Sequence, residues 1–137
     1  MTEMNINDAV AHPLAKYRNH LEFNGYQVEE EEEDLLLCRH PRKANMMLRN
    51  IPDRGVLIII PYDCDPEIEQ IELLKYANDL NANFMFIKAY IDEEKTLFLE
   101  TFFDGEYDRK NFSTLLDNIE SDMEVLADHA LTPDYLQ

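Results

Sequence analysis

The spacing of apolar positions along the chain switches repeatedly between a helical and a strand period, and the switches mark the elements. Val10, Leu14, Tyr17 and Leu21 recur at helical spacing, and Asn24-Gly25 supplies a left-handed stop, so a helix is expected to end near Phe23. Pro13 fits its first turn, with the preceding residues loose. From Tyr26 to Tyr62 the pattern changes to short apolar runs, "DLLLCRH", "NMMLRNI" and "GVLIIIPY", broken by the turn chemistry of "HPRKA" and "PDRG". These read as three or four antiparallel strands.

Asp65-Pro66 reads as a helix N-cap followed by proline at the first helical position, with Glu67 and Glu69 at the positive end of the dipole and the helix running to about Asn81. Leu73, Tyr76, Ala77 and Leu80 share one side of it. Ile68 and Ile71 point away from that side and are candidate contacts with a second subunit. "NFMFIKAYI" and "TLFLETFF" then read as strands on either side of the polar turn "DEEK". Phe112, Leu115, Leu116, Ile119, Met123 and Leu126 form an apolar stripe on a last helix, with Asp117, Glu120, Glu124 and Asp128 on a polar side. The tail "LTPDYLQ" reads as loose. The order helix, three or four strands, helix, two strands, helix predicts one α+β domain over residues 1–137, ordered from about 12 to 128.

The hairpin at 84–103 carries the most specific expectation. If "DEEK" makes an odd-length connection, Asp92 opposes Thr96, Lys88 faces Glu100, Tyr90 faces Phe98 and Phe86 faces Phe102. One face is then aromatic with a charge pair at its centre. The other collects Met85, Ile87, Ala89, Ile91, Leu97, Leu99 and Phe103 for packing against helices. An even connection would put Glu100 among those aliphatics, because register parity is all-or-none, so the odd register is expected. Large aromatics each bury about 150–250 Å². Phe86, Lys88, Tyr90, Phe98, Glu100 and Phe102 are therefore the predicted partner-binding surface.

Charge narrows the partners. Twelve basic against 29 acidic residues give a formal charge of −17, which repels nucleic-acid phosphates and anionic membranes alike. No stretch approaches the roughly 20 apolar residues of a membrane span, and the start "MTEMNINDAV" lacks the basic and apolar regions of a signal peptide. Cys38 and Cys64 match no redox or zinc spacing and suit reduced thiols, so a cytoplasmic setting is expected.

Candidate chemistry is sparse. "VEEEEEDLLLCRH" at 28–40 places its carboxylates on an extended strand, where successive side chains point to opposite faces, whereas calcium needs a curved loop of oxygens. Arg39, Arg42, Arg49 and Arg54 follow closely and offer cross-strand charge pairs. Cys38 and His40 alternate along a strand with no third ligand in view. His12, His20, His40 and His129 are scattered, and three glycines cannot build a phosphate loop. No cofactor and no metal are expected.

The element order, "GY" after the first helix, and the stretch "LLKYANDLNANFMFIKAYIDEEKTLFLETFF" resemble the YbjN-like bacterial proteins, which share the type III secretion chaperone-like fold. The likeness covers roughly residues 12–128. It implies a small, acidic, usually dimeric and non-enzymatic protein that binds an extended polypeptide client or acts in regulation. Two other classes stay open. One is an enzyme with a carboxylate or Cys-His site around Cys38, His40 and the acids at 29–34; the other is a structural homodimer without a client.

The acid run yields a first test. Changing Glu30 to Glu33 to glutamine is expected to leave the fold intact, since exposed charge pairs contribute little and are screened. A fall in melting temperature beyond about 10 °C would show that the run carries structure or ligand, because about 1 kcal/mol moves a domain of this size by only a few degrees.

Overall fold

The computed structural model describes residues 12–137. The segment holding Val10 lies outside them. The first helix, α1 (Ala15–Phe23), follows a turn in which the Ala15 N–H donates to the His12 carbonyl, so Pro13 stands ahead of the helix and not within its first turn. Its end is as expected. Gly25 sits at φ 92°, the Tyr26 N–H donates to the Leu21 carbonyl and the Gly25 N–H to that of Glu22, the paired bonds of a glycine stop.

Four strands succeed one another: β1 (Gln27–Glu32), β2 (Leu35–Arg39), β3 (Met46–Ile51) and β4 (Gly55–Asp63). After α2 (Gln70–Asn83) come β5 (Lys88–Ile91) and β6 (Thr96–Asp104), then α3 (Arg109–Asp128) and the short α4 (Thr132–Tyr135). All pairings are antiparallel and the sheet order is β1-β2-β3-β4-β6-β5. The fold is therefore α+β, a six-stranded open sheet with four helices among the described residues. Gly55 opens β4 at φ 153° where a side chain has no room: a Cβ there would stand 2.0 Å from the Phe103 carbonyl oxygen.

The acidic β1 pairs partly as expected. Arg39 reaches Glu29 at 3.0 Å and Arg49 reaches Asp34 at 3.2 Å, while Glu30 is held at 2.6 Å by Arg18 of α1, a partner the strand pattern does not suggest. A bulge between Glu30 and Glu32 interrupts the ladder.

The middle helix starts later than its cap motif suggests. The Asp65 side chain accepts from the Glu67 N–H and its carbonyl from the Ile68 N–H, closing a separate turn, and α2 begins at Gln70. A distant residue fixes that turn. Lys95, at φ 61° in the β5–β6 connection, donates its ammonium to the carbonyls of Pro66 at 2.9 Å and Ile68 at 2.7 Å.

The tail differs from expectation too. Its last residues join the end of β4, where Cys64 bridges Leu136, the Asp65 N–H donates to the Tyr135 carbonyl and the Gln137 N–H donates to that of Asp63. Thr132 shares a 2.6 Å hydrogen bond with Tyr76, and the Tyr135 ring packs edge-on to Tyr76. These partners lie far away in sequence, which is why the polar tail alone reads as loose.

One core lies between the sheet and the helices. Tyr17 and Leu21 of α1, Leu73, Tyr76 and Leu80 of α2, and Phe112, Ile119 and Leu126 of α3 meet Val28, Leu36, Cys38, Leu48, Ile58, Leu97 and Leu99 of the strands. Asp122 belongs to the same side of α3 and is only 2 % exposed. Its carboxylate accepts the N–H groups of Met85 at 3.0 Å, Phe86 at 2.7 Å and Ile87 at 2.9 Å, three donors that would otherwise lack a partner between α2 and β5. That capture keeps residues 84–87 out of the sheet, so β5 starts only at Lys88, and it leaves Met85 exposed instead of facing the core.

Asp122 is therefore expected to contribute more than any surface charge. Asp122→Ala should cost about 3–5 kcal/mol in urea unfolding, and Asp122→Asn about 2–3, because buried donors to a charged acceptor are lost or opposed. A loss below about 1 kcal/mol for the alanine variant would contradict the geometry.

Candidate interaction surface

The hairpin adopts the odd register. Lys88 pairs with Glu100, Ala89 with Leu99, Tyr90 with Phe98 and Ile91 with Leu97, and the Asp92 N–H donates to the Thr96 carbonyl. Asp92 Oδ1 takes the N–H groups of Glu94 and Thr96, so Glu93, Glu94 and Lys95 form a three-residue connection with Lys95 left-handed at its end. The ladder does not extend to Phe86 and Phe102, because Asp122 holds Phe86 in the bend; the Thr101 hydroxyl donates to the Phe86 carbonyl there.

Strand alternation places the predicted residues in a larger surface than the hairpin alone. On the side away from the helices, one row crosses all six strands through Glu29, Leu37, Met47, Ile59, Glu100 and Lys88. Beside it run Leu35, Arg49, Leu57 and Phe102 on one flank, and Pro61, Phe98 and Tyr90 on the other. No described element lies over this face. Tyr90 and Phe102 are 41 % and 42 % exposed, Leu37, Met47, Leu57, Ile59 and Phe98 are half-buried, and Leu35 is buried.

Sequence reasoning misses the β2–β4 part of this surface. Its signal is present in "DLLLCRH" and "GVLIIIPY", which are apolar at both parities, as strands covered on both faces are. Ile68 and Ile71 fall elsewhere: Ile68 packs partly buried against the core ahead of α2, while Ile71 is exposed on the helix beside exposed Leu74.

At the centre of the aromatic flank Glu100 is 9 % exposed. Its Oε2 accepts from the Tyr90 hydroxyl at 2.5 Å, and its Oε1 stands 3.6 Å from Lys88 Nζ. Tyr90 stacks on Phe98 with ring centres 5.3 Å apart and planes 24° from parallel. The hydrogen bond to Glu100, more than burial, pushes the Tyr90 phenol up to about 12.

The residues around Cys38 do not assemble into a reactive pair. Cys38 is buried in the core, and burial pushes its thiol up to about 12, so it stays protonated at neutral pH. His40 is engaged differently: its Nδ1 accepts the N–H groups of Arg42 and Lys43 while its ring lies 4.8 Å from that of Tyr26. Burial also raises Cys64, with Asp63 and Asp92 adding to the effect. His20 ties α1 to α3 between Tyr107 at 2.8 Å and Ser113 at 3.2 Å, and burial lowers its pKa. Among the described residues no group of His, Cys, Asp and Glu is arranged to hold a metal ion, and no helix is long and apolar enough to cross a membrane.

In comparisons with known proteins, the chain matches no family model, no curated protein and no solved structure.

The Tyr90 geometry is testable by absorbance at the phenolate band. The difference between wild type and Tyr90→Phe should show one tyrosine ionising near pH 12, and Glu100→Gln should return it toward 10. The sign follows from linkage: a folded pKa above the unfolded 10.0 gives stability that is intact below pH 10 and lost as pH rises toward 12. A midpoint near 10 in that difference signal would mean the Tyr90–Glu100 bond does not form.

Proposed function

We propose that the protein is a non-enzymatic polypeptide-binding module, chaperone-like or regulatory in role, that works through the open face of its sheet. One observation carries the reading. From β2 to β6 the side opposite the helices carries Leu37, Met47, Leu57, Ile59, Phe98 and Phe102, with Tyr90 of β5 beside them, and Tyr90 and Phe102 are more than two-fifths exposed. Contiguous apolar surface of this kind marks sites of protein contact. The setting of the chemistry agrees, since the buried thiols are raised in pKa and so stay protonated at neutral pH.

An order of helix, four strands, helix, two strands and helix is in keeping with the type III secretion chaperone-like fold and with the YbjN-like resemblance. On this reading the chain is a cytoplasmic bacterial protein. It works as a homodimer or with a client polypeptide, and Phe86, Lys88, Tyr90, Phe98, Glu100 and Phe102 form the contact.

Phe98→Asp tests the surface, because it places a charge in the stacked pair without touching the core beneath. If light scattering after chromatography gives a dimer mass for the wild type, the variant should be monomeric, and polypeptides that co-purify with the wild type should be lost from it. A monomeric wild type at micromolar concentration removes the dimer; a folded variant that keeps both mass and bound polypeptide removes the surface.

A further inference from the structure

A polypeptide meets a sheet either by joining an edge or by covering a face, and both edges of this sheet are closed. Along β5 the Ala89 N–H donates to Asn81 Oδ1 at 2.7 Å, and the Ala89 carbonyl accepts from Asn81 Nδ2 at 2.9 Å. One α2 side chain thus stands in for a seventh strand. Next to it the Ile87 N–H is taken by Asp122, and the Gln70 carboxamide donates to the Asp92 carbonyl. At the opposite edge β1 presents consecutive glutamates and a bulge, both of which oppose strand addition. Among the described residues the face alone is left open. A segment that dries a sheet face without an edge to pair with must satisfy its own backbone, as a helix does.

Glu100 sets the chemistry of that helix. Oε2 is occupied by the Tyr90 hydroxyl, whereas Oε1 has Lys88 Nζ at 3.6 Å, outside hydrogen-bond reach. The Lys88 side chain is 70 % exposed, with its ammonium 5.9 Å from the centre of the Tyr90 ring. A carboxylate this buried has one loosely held cation and an aromatic wall beside it. We propose that the open face binds an amphipathic helix of a partner protein whose apolar stripe contains one arginine or lysine, and that this cation displaces Lys88 and closes on Glu100 Oε1. The proposal rests on the reading of the face as a polypeptide-binding surface.

Arginine suits the position better than lysine, since a guanidinium donates in a fork and stacks on aromatic rings such as the Tyr90–Phe98 pair. The formal charge of −17 draws basic helices toward the molecule. Close to the face the charges balance, with Arg39 on Glu29, Arg49 on Asp34 and Lys88 beside Glu100, so an otherwise apolar stripe meets no net charge there.

The test uses the full chain and a fluorescently labelled peptide of about 18 residues, roughly five helical turns. The peptide has leucines at i, i+3, i+4 and i+7 and one arginine within that stripe. Companion peptides carry glutamine at the arginine position, or proline in the middle of the same composition. The arginine peptide should bind about tenfold more tightly than the glutamine peptide, the difference a charged hydrogen bond supplies. Lys88→Ala should tighten the arginine peptide, and Glu100→Gln should erase its advantage. Equal affinities of the arginine and glutamine peptides for the wild type overturn the cation site and leave the face standing. Tighter binding of the proline-broken peptide overturns the helix in favour of an extended segment. If no peptide binds and the chain is dimeric by light scattering, a second copy covers the face and the proposal falls. If none binds a monomeric chain, the polypeptide-binding reading falls with it.

Discussion

Three amide donors converging on Asp122 decide how the second half of the chain is built. Between the end of α2 and the start of β5 the backbone has no ladder to join, and its N–H groups at 85–87 would be costly to leave unpaired. The carboxylate on α3 takes all three. It thereby ties the last helix to the entrance of the hairpin and sets where β5 begins. From that starting point follow the Lys88–Glu100 and Tyr90–Phe98 pairs, the turn at Asp92 and the left-handed Lys95 whose ammonium holds the approach to α2. One buried charge thus connects α2, the hairpin and α3.

The second constraint is a shortage of cover. The helices of the described chain all pack on one side of six strands, and the strands β2, β3, β4 and β6 are apolar on both. Acidic residues do not relieve this, because they gather on β1, the loops and the outer sides of α2 and α3, while the face keeps its charges in local pairs. The acid run of β1 has a plain physical role in this arrangement: like charges and a bulge guard an edge that would otherwise pair with another chain. The far edge is guarded by Asn81 instead, without any net charge.

How much of this is legible in the sequence depends on how far the deciding partner lies. The hairpin register is readable because parity admits only two answers and one of them buries Glu100 among aliphatics. The stop at Gly25 is local and is read correctly. Asp65-Pro66 carries the same residues whether it caps a helix or closes a turn, and the choice falls to Lys95, thirty positions on. The tail is misread for the same reason, since Cys64 and Tyr76 are what hold it. Asp122 gives no warning at all, being one acid among 29 in a helix whose other acids are solvated. The open face is visible in part: the double-parity runs at 35–37 and 56–60 announce a strand apolar on both sides. They do not say which strands are neighbours, and so the face cannot be assembled from them.

Gly55 bears on what kinship with this protein would look like. No side chain fits there, because the Phe103 carbonyl oxygen occupies the place of a Cβ, and the whole β4–β6 seam is registered from that point. Divergence can exchange the glutamates of β1 or the tail without disturbing the seam. It cannot easily exchange this glycine, nor the carboxylate at 122. A distant cousin would be recognised less by overall similarity than by those two fixed points, a glycine opening an apolar strand and a lone acid in the apolar stripe of the last long helix.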